Sequence, residues 1–310
     1  MVHELKQFGR VKTNEPLAKY TTFKIGGPAD YVVTVEETEK LVGLLQFLVG
    51  AGVPYFILGG GSNMLVRDEG FRGAVVKIKN QKSTINNDTV EVDAGCMTVA
   101  VAQESIKAGL TGFEWGGGVP GTIGGAVRGN AGAMNGEMKD VVEKIDIYRD
   151  GEVITLSNRE CRFGYRGSVC KEKADVVLRV WLQLQKTDNM ELMKKALEYL
   201  QYRNKTQPQG FSTGCIFKNH EIINHTSKIK NLLLPEAFIK NGKIPAGWLV
   251  EKAGMKGVSV GGAQVSERHG NFIVNRGNAT AQDVLSLIDE IKSTVYDMSE
   301  VELEEEIQIV

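Results

Sequence analysis

Several functional classes are ruled out by what this sequence lacks. Its 310 residues include four cysteines, Cys96, Cys161, Cys170 and Cys215, with no C-x-x-C pair among them. That spacing is neither a zinc ribbon nor a disulfide framework, and it fits free thiols in a reducing compartment. The four histidines are scattered, and His220 with His225 has no thiol or carboxylate cluster beside it, so no metal is expected. No glycine-rich turn carries the Walker lysine, which argues against a nucleotide triphosphatase. A formal charge of −1 gives no general attraction to nucleic acid or to an anionic membrane. The longest apolar segment, Leu41–Phe56, is broken by Gln46, Gly50, Gly52 and Pro54 and is too short to span a bilayer. The opening residues MVHELKQFGRVKTNEP have no apolar core, so neither a secretory signal nor an anchor is expected.

What is present is glycine, concentrated in Phe113–Ala133, FEWGGGVPGTIGGAVRGNAGA. Such a stretch is not expected to form an element that buries side chains. Each glycine inside a regular element costs about 0.5–1 kcal/mol, so the density implies a need for bare backbone. Backbone N–H groups free of side chains suit an extended, anionic ligand. A second glycine turn, Gly59-Gly60-Gly61-Ser62-Asn63, follows the apolar run Val53–Leu58. A helix over Glu37–Gly52 is predicted from Leu41, Leu44, Leu45 and Leu48, and strands over Tyr31–Val35 and Ala74–Ile78. The result is a strand–helix–strand unit with a glycine turn at the carboxyl end of a strand, where open α/β sheets bind ligands.

Further strands are predicted over Thr89–Ala94 and Val176–Leu184, a helix over Thr98–Gly109, and a hairpin of Val142–Tyr148 with Val153–Leu156 across Asp150-Gly151. The composition shifts near Lys186–Asp188, where a domain boundary is placed. Beyond it the pattern predicts a helix over Met190–Tyr202, buried through Leu192, Met193, Ala196, Leu197 and Leu200. A short strand Cys215–Lys218, a polar insertion or lid over His220–Lys243, a helix over Ala246–Gly254, a strand Phe272–Asn275, a helix over Thr280–Val295 and a closing strand Val301–Val310 complete the chain.

Two motif spellings do not carry their usual chemistry. Gly116–Gly121 matches G-x-G-x-x-G but lacks the buried strand before it and the helix opening from its last glycine. Gly210–Gly214 matches G-x-S-x-G, yet no strand precedes it and Cys215-Ile-Phe-Lys after it is strand-like. Two glycine turns facing each other instead fit a long diphosphate cofactor, for which FAD suits better than a mononucleotide.

Three runs, TFKIGGPAD at Thr22–Asp30, LGGGSNMLV at Leu58–Val66 and GVPGTIGGAVRGNAG at Gly118–Gly132, resemble the UDP-N-acetylenolpyruvoylglucosamine reductase family. FGYRGS at Phe163–Ser168, GGAQVS at Gly261–Ser266 and NFIVN at Asn271–Asn275 extend the resemblance over nearly the whole chain. The family's extra tyrosine-bearing loop is absent between Arg166 and Val176, so the chain resembles the branch without it; its His220–Lys243 segment is longer than that branch shows. The resemblance implies an α+β fold: a vanillyl-alcohol-oxidase (PCMH-type) FAD-binding domain over 21–187, with subdomains 21–80 and 81–187, then an α+β substrate-binding domain over 188–310. Residues 1–20 are a lead-in.

It also implies NADPH-dependent, FAD-mediated reduction of UDP-N-acetylglucosamine enolpyruvate to UDP-N-acetylmuramate, for peptidoglycan. The FAD is expected to be non-covalent, NADPH the hydride donor, and the enzyme a cytoplasmic monomer acting on small molecules. For the cofactor the resemblance points to Gly59, Gly60, Gly61, Ser62 and Asn63, to Val119, Pro120, Gly121, Thr122, Gly124, Gly125 and Ala126, and second to Asn130 and Arg128. Arg166 matches the arginine that stabilises the substrate carboxylate, for which a guanidinium fork is well suited. Cys215 stands where the family usually has the serine that donates the proton. A thiol with an ordinary pKa of about 8.5 is mostly protonated at pH 7 and can donate; Ser212 is the alternative donor. Glu305 breaks the alternation of Val301, Leu303, Ile307 and Ile309, but the family's glutamate precedes an aliphatic residue, which matches Glu306. Asn219 and Arg203 match substrate-binding positions, either Arg203 or Lys218 could meet the diphosphate, and His269 is a weaker candidate.

Overall fold

A computed structural model describes residues 1–310 except 222–227, 230–231, 234–238 and 240–241. The chain divides into two units: Met1–Glu15, Ala29–Gly60 and Phe71–Arg203 form the first, and Pro16–Pro28, Gly61–Gly70 and Asn204–Val310 the second.

The first unit holds two sheets. Strands β1 (Arg10–Pro16), β2 (Pro28–Val35), β3 (Tyr55–Leu58) and β4 (Phe71–Ile78) form a four-stranded sheet in the order β1-β2-β4-β3. Both neighbours of β4 run parallel to it. Gly73, Ala74, Val75, Val76 and Ile78 of β4 are all buried, as a central parallel strand requires. Helix α1 (Thr38–Gly50) crosses between β2 and β3 and buries Leu41, Leu44, Leu45 and Leu48, the i, i+3, i+4, i+7 stripe of its sequence. Gly52 at φ +64° and Pro54 end it.

The other sheet is antiparallel. Strands β5 (Ser83–Asn86), β6 (Thr89–Asp93), β7 (Val142–Arg149), β8 (Glu152–Ser157) and β9 (Val176–Gln183) lie in the order β8-β7-β9-β6-β5. The β7–β8 hairpin turns on Asp150 and Gly151, both at positive φ, as a tight primed turn demands. Helices α2 (Thr98–Lys107) and α3 (Ile123–Arg128) share the core of this sheet through Val101, Ala102, Ile123 and Val127.

The glycine stretch therefore does contain a side-chain-burying element, contrary to the expectation from composition. Thr122 caps α3 by accepting from the Gly125 N–H at 3.4 Å, and Ile123, Ala126 and Val127 are buried. The glycines permit it, because a Cβ on Gly124 would stand 2.8 Å from Ala94 Cβ. They let a short helix sit down on the strand.

At the end of β7, Arg149 grips Asp175 with two parallel hydrogen bonds of 2.7 and 2.6 Å, and the carboxylate is 1% exposed. Removing one partner of such a pair strands a buried charge. Asp175→Asn is expected to lower stability by about 3–5 kcal/mol, read as a lower urea midpoint at unchanged slope.

Helix α4 (Asn189–Thr206) is longer than predicted, and its buried face is turned from the predicted one. Leu192 is buried, Ala196 and Tyr199 are half-buried, and Met193, Leu197 and Leu200 are exposed. The seam runs 192-196-199, and the wider apolar stripe read from sequence includes its solvent side.

In the second unit, strands β10 (Ser259–Val260), β11 (Ala263–Val265) and β12 (Ile273–Asn275) form an antiparallel sheet. Helices α5 (Ala246–Lys252) and α6 (Ala281–Ser299) share its core. Thr280 and Asp283 make a capping box at the start of α6, and Val284, Leu287, Ile288, Ile291 and Val295 are its buried stripe. Segments early in the chain complete this unit: Phe23, Ile25 and Leu65 lie in its core. The Asp68 carboxylate accepts from the N–H groups of Ala281 and Gln282 at 2.8 and 3.0 Å. These contacts place 16–28 and 61–70 with the C-terminal part of the chain, so the contact units interleave where the ranges 21–187 and 188–310 follow chain order. The closing strand is shorter than expected: Gln308–Ile309 pairs parallel to Met64–Leu65, and Glu305 makes an isolated antiparallel bridge to Phe217. Most of the predicted His220–Lys243 insertion lies outside the described residues; His220–Glu221 pairs with Lys243–Ile244, and Lys228–Ile229 with Leu232–Leu233.

Candidate active site

The two glycine turns meet within the first unit. β3 ends at Leu58, and a Cβ built on Gly59 would lie 2.5 Å from Thr122 Oγ1. A Cβ on Gly60 would lie 2.5 Å from Gly121 Cα, so here backbone faces backbone. Gly121 itself sits at φ +105°, a region that side chains avoid. The first N–H groups of α3 are already used: Ile123 donates to Cys96 O and Gly124 to Ala94 O, each at 2.9 Å. Among the described residues, by contrast, the N–H group of Gly60 makes no hydrogen bond. A bare amide N–H on glycine backbone fits the diphosphate of a dinucleotide cofactor. Lys77 of β4 lies beneath this turn and donates to the Gly59 carbonyl. Burial, and next the like charge of Lys79, hold its pKa below the ordinary lysine value. Sequence reasoning missed it, although a lysine inside the apolar run Ala74–Ile78 was the available signal.

Of the other residues assigned to the cofactor, Ser62 and Asn63 belong to the second unit. Ser62 O accepts from Thr213 Oγ1 at 3.2 Å, and Asn63 Nδ2 donates to Glu306 O at 3.2 Å. Val119, Pro120, Gly125 and Ala126 lie on the Gly121–Thr122 side of the first unit, around the start of α3. Asn130 is fully buried, and its amide is spent inside the protein, on Glu137 at 2.6 Å, Gly164 O at 2.9 Å and the Lys139 N–H at 3.0 Å. Through the Gly164 bond it holds the turn that carries Arg166.

Arg166 stands at the tip of a two-residue turn closed by reciprocal bonds between Gly164 and Gly167. Its φ is +55°, and its guanidinium lies over the Tyr165 ring at 5.4 Å. Ser168 Oγ donates to Arg128 O at 2.9 Å, and Lys171 Nζ to Arg166 O at 3.2 Å. The turn is thus fastened from the glycine stretch on one side and from the following helical turn on the other. Arg203, on α4, lies against Gly118; a Cβ there would come 2.4 Å from Arg203 Cδ.

The second unit brings Cys215 and Glu306 onto adjacent extended segments. Ile216 donates to Asn271 O at 2.9 Å, and Glu306 N–H donates to Ile216 O at 2.7 Å. Asn271, 3% exposed, clamps Phe217 through both its N–H and its carbonyl, at 2.9 and 2.8 Å. In the sequence Asn271 is visible only as the first residue of NFIVN, with nothing to mark this clamp. Cys215 differs from the other three cysteines. Burial pushes the Cys96, Cys161 and Cys170 thiols up to about 11, 12 and 11, so they stay neutral in the core, whereas Cys215 is partly exposed.

The Glu305 carboxylate is held by Lys292 of α6 at 2.9 Å. The backbone of Glu305 bridges Phe217, and the Glu306 N–H donates to Ile216 O, so both glutamates lie beside the Cys215 segment. Lys218 pairs with Glu304. The Asn219 carbonyl oxygen accepts from the Ala246 N–H at 3.1 Å, capping α5. His269 packs on the same helix opposite Gly247; burial holds its pKa down, and Nδ1 accepts from the Asn271 N–H at 3.2 Å, leaving the proton on Nε2. Ser212, the alternative donor, gives its carbonyl to Thr22 Oγ1 at 2.7 Å. No helix follows it, so the G-x-S-x-G spelling is not a nucleophile elbow. A recess of about 310 Å³ in this unit, lined in part by Gln264, Ser266, Arg268 and Arg276, includes none of the predicted substrate residues.

Comparison with known proteins agrees over the full length. Residues 207–310 match the model for the C-terminal domain of UDP-N-acetylenolpyruvoylglucosamine reductase, and residues 29–157 match a FAD binding domain. The UDP-N-acetylenolpyruvoylglucosamine reductase of Caldanaerobacter subterraneus subsp. tengcongensis is 40% identical over 316 residues, covering 100% of this chain and 98% of that protein. That of Bacillus subtilis is 38% identical over 317 residues, with the same coverage. The crystal structure of the Thermus caldophilus UDP-N-acetylenolpyruvylglucosamine reductase superposes with a TM-score of 0.78 at 35% identity, over 97% of this chain and 98% of that one. The α+β architecture, the glycine cradle and these full-length matches lead to one assignment: the chain belongs to the UDP-N-acetylenolpyruvoylglucosamine reductase family.

Proposed function

We propose that this protein reduces UDP-N-acetylglucosamine enolpyruvate to UDP-N-acetylmuramate, with NADPH as reductant and FAD as hydride carrier, in peptidoglycan precursor synthesis. The observation that carries the reading is the close meeting of Gly59–Gly60 with Gly121–Thr122, where neither glycine has room for a Cβ, in a chain matched throughout by this family. Non-covalent FAD would be held by Gly59–Asn63 and by Val119–Thr122 with Gly124–Ala126, and would supply the hydride for C3 of the enolpyruvyl ether. Residues 21–187 serve the cofactor and 188–310 the substrate.

The remaining chemistry belongs to side chains. As C3 receives the hydride, negative charge grows on the substrate carboxylate and C2. Arg166 balances it with a cation that is charged at every working pH and whose fork matches a carboxylate. Cys215 gives its proton to C2, and Glu306 assists that transfer from the neighbouring segment. Arg203, Lys218, Asn219 and His269 bind the substrate, with either Arg203 or Lys218 at its diphosphate. Among the described residues no helix is long and apolar enough to cross a membrane; we assign the protein to the cytoplasm as a monomer.

The test is direct. Purified protein carries bound flavin and oxidises NADPH only when UDP-N-acetylglucosamine enolpyruvate is added. Colourless protein that takes up no FAD on incubation overturns the reading. The cradle has its own test. Gly60→Ala places a methyl against the Gly121 backbone, which has no flexible end to swing away. Overpacking of this kind costs roughly 1–3 kcal/mol, so FAD affinity is expected to fall about tenfold or more by fluorescence titration.

A further inference from the structure

The lysine under the glycine turn has no part in the function described so far. Lys77 sits on central strand β4, opposite Leu58 in the parallel register, with the Gly59 carbonyl as acceptor for its ammonium. Among the described residues no carboxylate lies within ion-pair distance of it. A half-buried ammonium held by one carbonyl has no balancing charge, and at low dielectric an anion nearby is attracted to it more strongly than in water. The geometry says which way its influence runs. In a trans peptide the C=O and the N–H point in opposite directions, and among the described residues there is no cis peptide bond. Holding the Gly59 oxygen toward Lys77 therefore aims the Gly60 N–H to the other side of the same peptide. That N–H makes no hydrogen bond within the described protein, and Gly60 is the residue whose backbone faces Gly121.

We propose that Lys77 is a positioning residue for the diphosphate of FAD, acting through the Gly59–Gly60 peptide. The ammonium fixes the orientation of the peptide plane and polarises it, so the Gly60 N–H meets the diphosphate as a stronger donor than an isolated amide. The charge stays behind the backbone, and glycine's lack of a side chain lets the cofactor approach the other face. Lys77 thereby favours a flavin that carries a diphosphate over one that does not. This rests on the proposed FAD function.

The experiment compares FAD with riboflavin, which has no diphosphate, on the full-length flavin-stripped protein by fluorescence titration. Lys77→Met removes donor and charge, and Lys77→Gln keeps a donor for Gly59 while removing the charge. Lys77→Met is expected to weaken FAD by about tenfold, the size of a lost charge-assisted bond, and to leave riboflavin unchanged. Lys77→Gln is expected to lose an intermediate amount, and it carries the comparison if the methionine variant does not give a cooperative thermal melt. Equal weakening of FAD and riboflavin means a merely structural lysine and overturns the proposal, as does unchanged FAD affinity in both variants. Wild-type protein that binds no FAD overturns the functional reading itself and this inference with it.

Discussion

Cys215→Ala is expected to slow the substrate half-reaction by about 10²–10⁴-fold, the usual contribution of a positioned general acid, while NADPH reduces the bound flavin at the wild-type rate. The substitution reads the thiol and little else. The backbone that follows it is fastened independently of the side chain, by Ile216 to Asn271, Glu306 to Ile216 and Asn271 to Phe217. No methylene-sized cavity opens in a core, because Cys215 is partly exposed, unlike Cys96, Cys161 and Cys170. Cys215→Ser places the family's usual donor at the same position and is expected to retain activity. Single-turnover mixing of reduced enzyme with substrate measures the step. Loss of both half-reactions together, or an alanine variant as fast as wild type, removes Cys215 from the proton transfer and turns attention to Ser212.

Arg166→Ala is expected to lower kcat by about 10²–10³-fold, the loss seen when one donor aimed at developing charge is taken away. Arg166→Lys recovers only part of it, since an ammonium keeps the charge but cannot grip a carboxylate with two parallel bonds. The turn itself supplies a control. Arg166 is held at φ +55°, where glycine is at ease, so Arg166→Gly fits the backbone and removes the guanidinium alone. Alanine and glycine variants with the same loss assign the effect to the side chain. A glycine variant near wild-type activity shows instead that alanine disturbed the turn.

The local elements were legible where one periodicity had one reading. Leu41, Leu44, Leu45 and Leu48 gave α1, and Asp150-Gly151 between two apolar runs gave the β7–β8 hairpin. The glycine turn after Val53–Leu58 stood at the carboxyl end of a parallel strand, and its meeting with the second glycine turn is present in the structure. Legibility failed where the same residues serve two environments. In α4 the apolar residues spread over more than one face, and only packing selects 192-196-199 over the side with Met193, Leu197 and Leu200. In Ile123–Arg128, glycine's poor helix propensity was outweighed by a Thr122 cap and by burial of Ile123 and Val127.

By itself, then, the sequence determined the family and the flavin chemistry, because these rest on strings of residues in fixed order. The tertiary structure decided three things that depend on partners distant in the chain. It paired the Glu305 carboxylate with Lys292 of α6, a partner that alternation along one strand could not name. It turned Asn130 inward to hold the Arg166 turn. It set Lys77 behind Gly59, so that a lysine in an apolar strand aims a backbone N–H. Each is a hydrogen bond or ion pair between residues apart in sequence, and a linear pattern carries no record of which groups folding brings together.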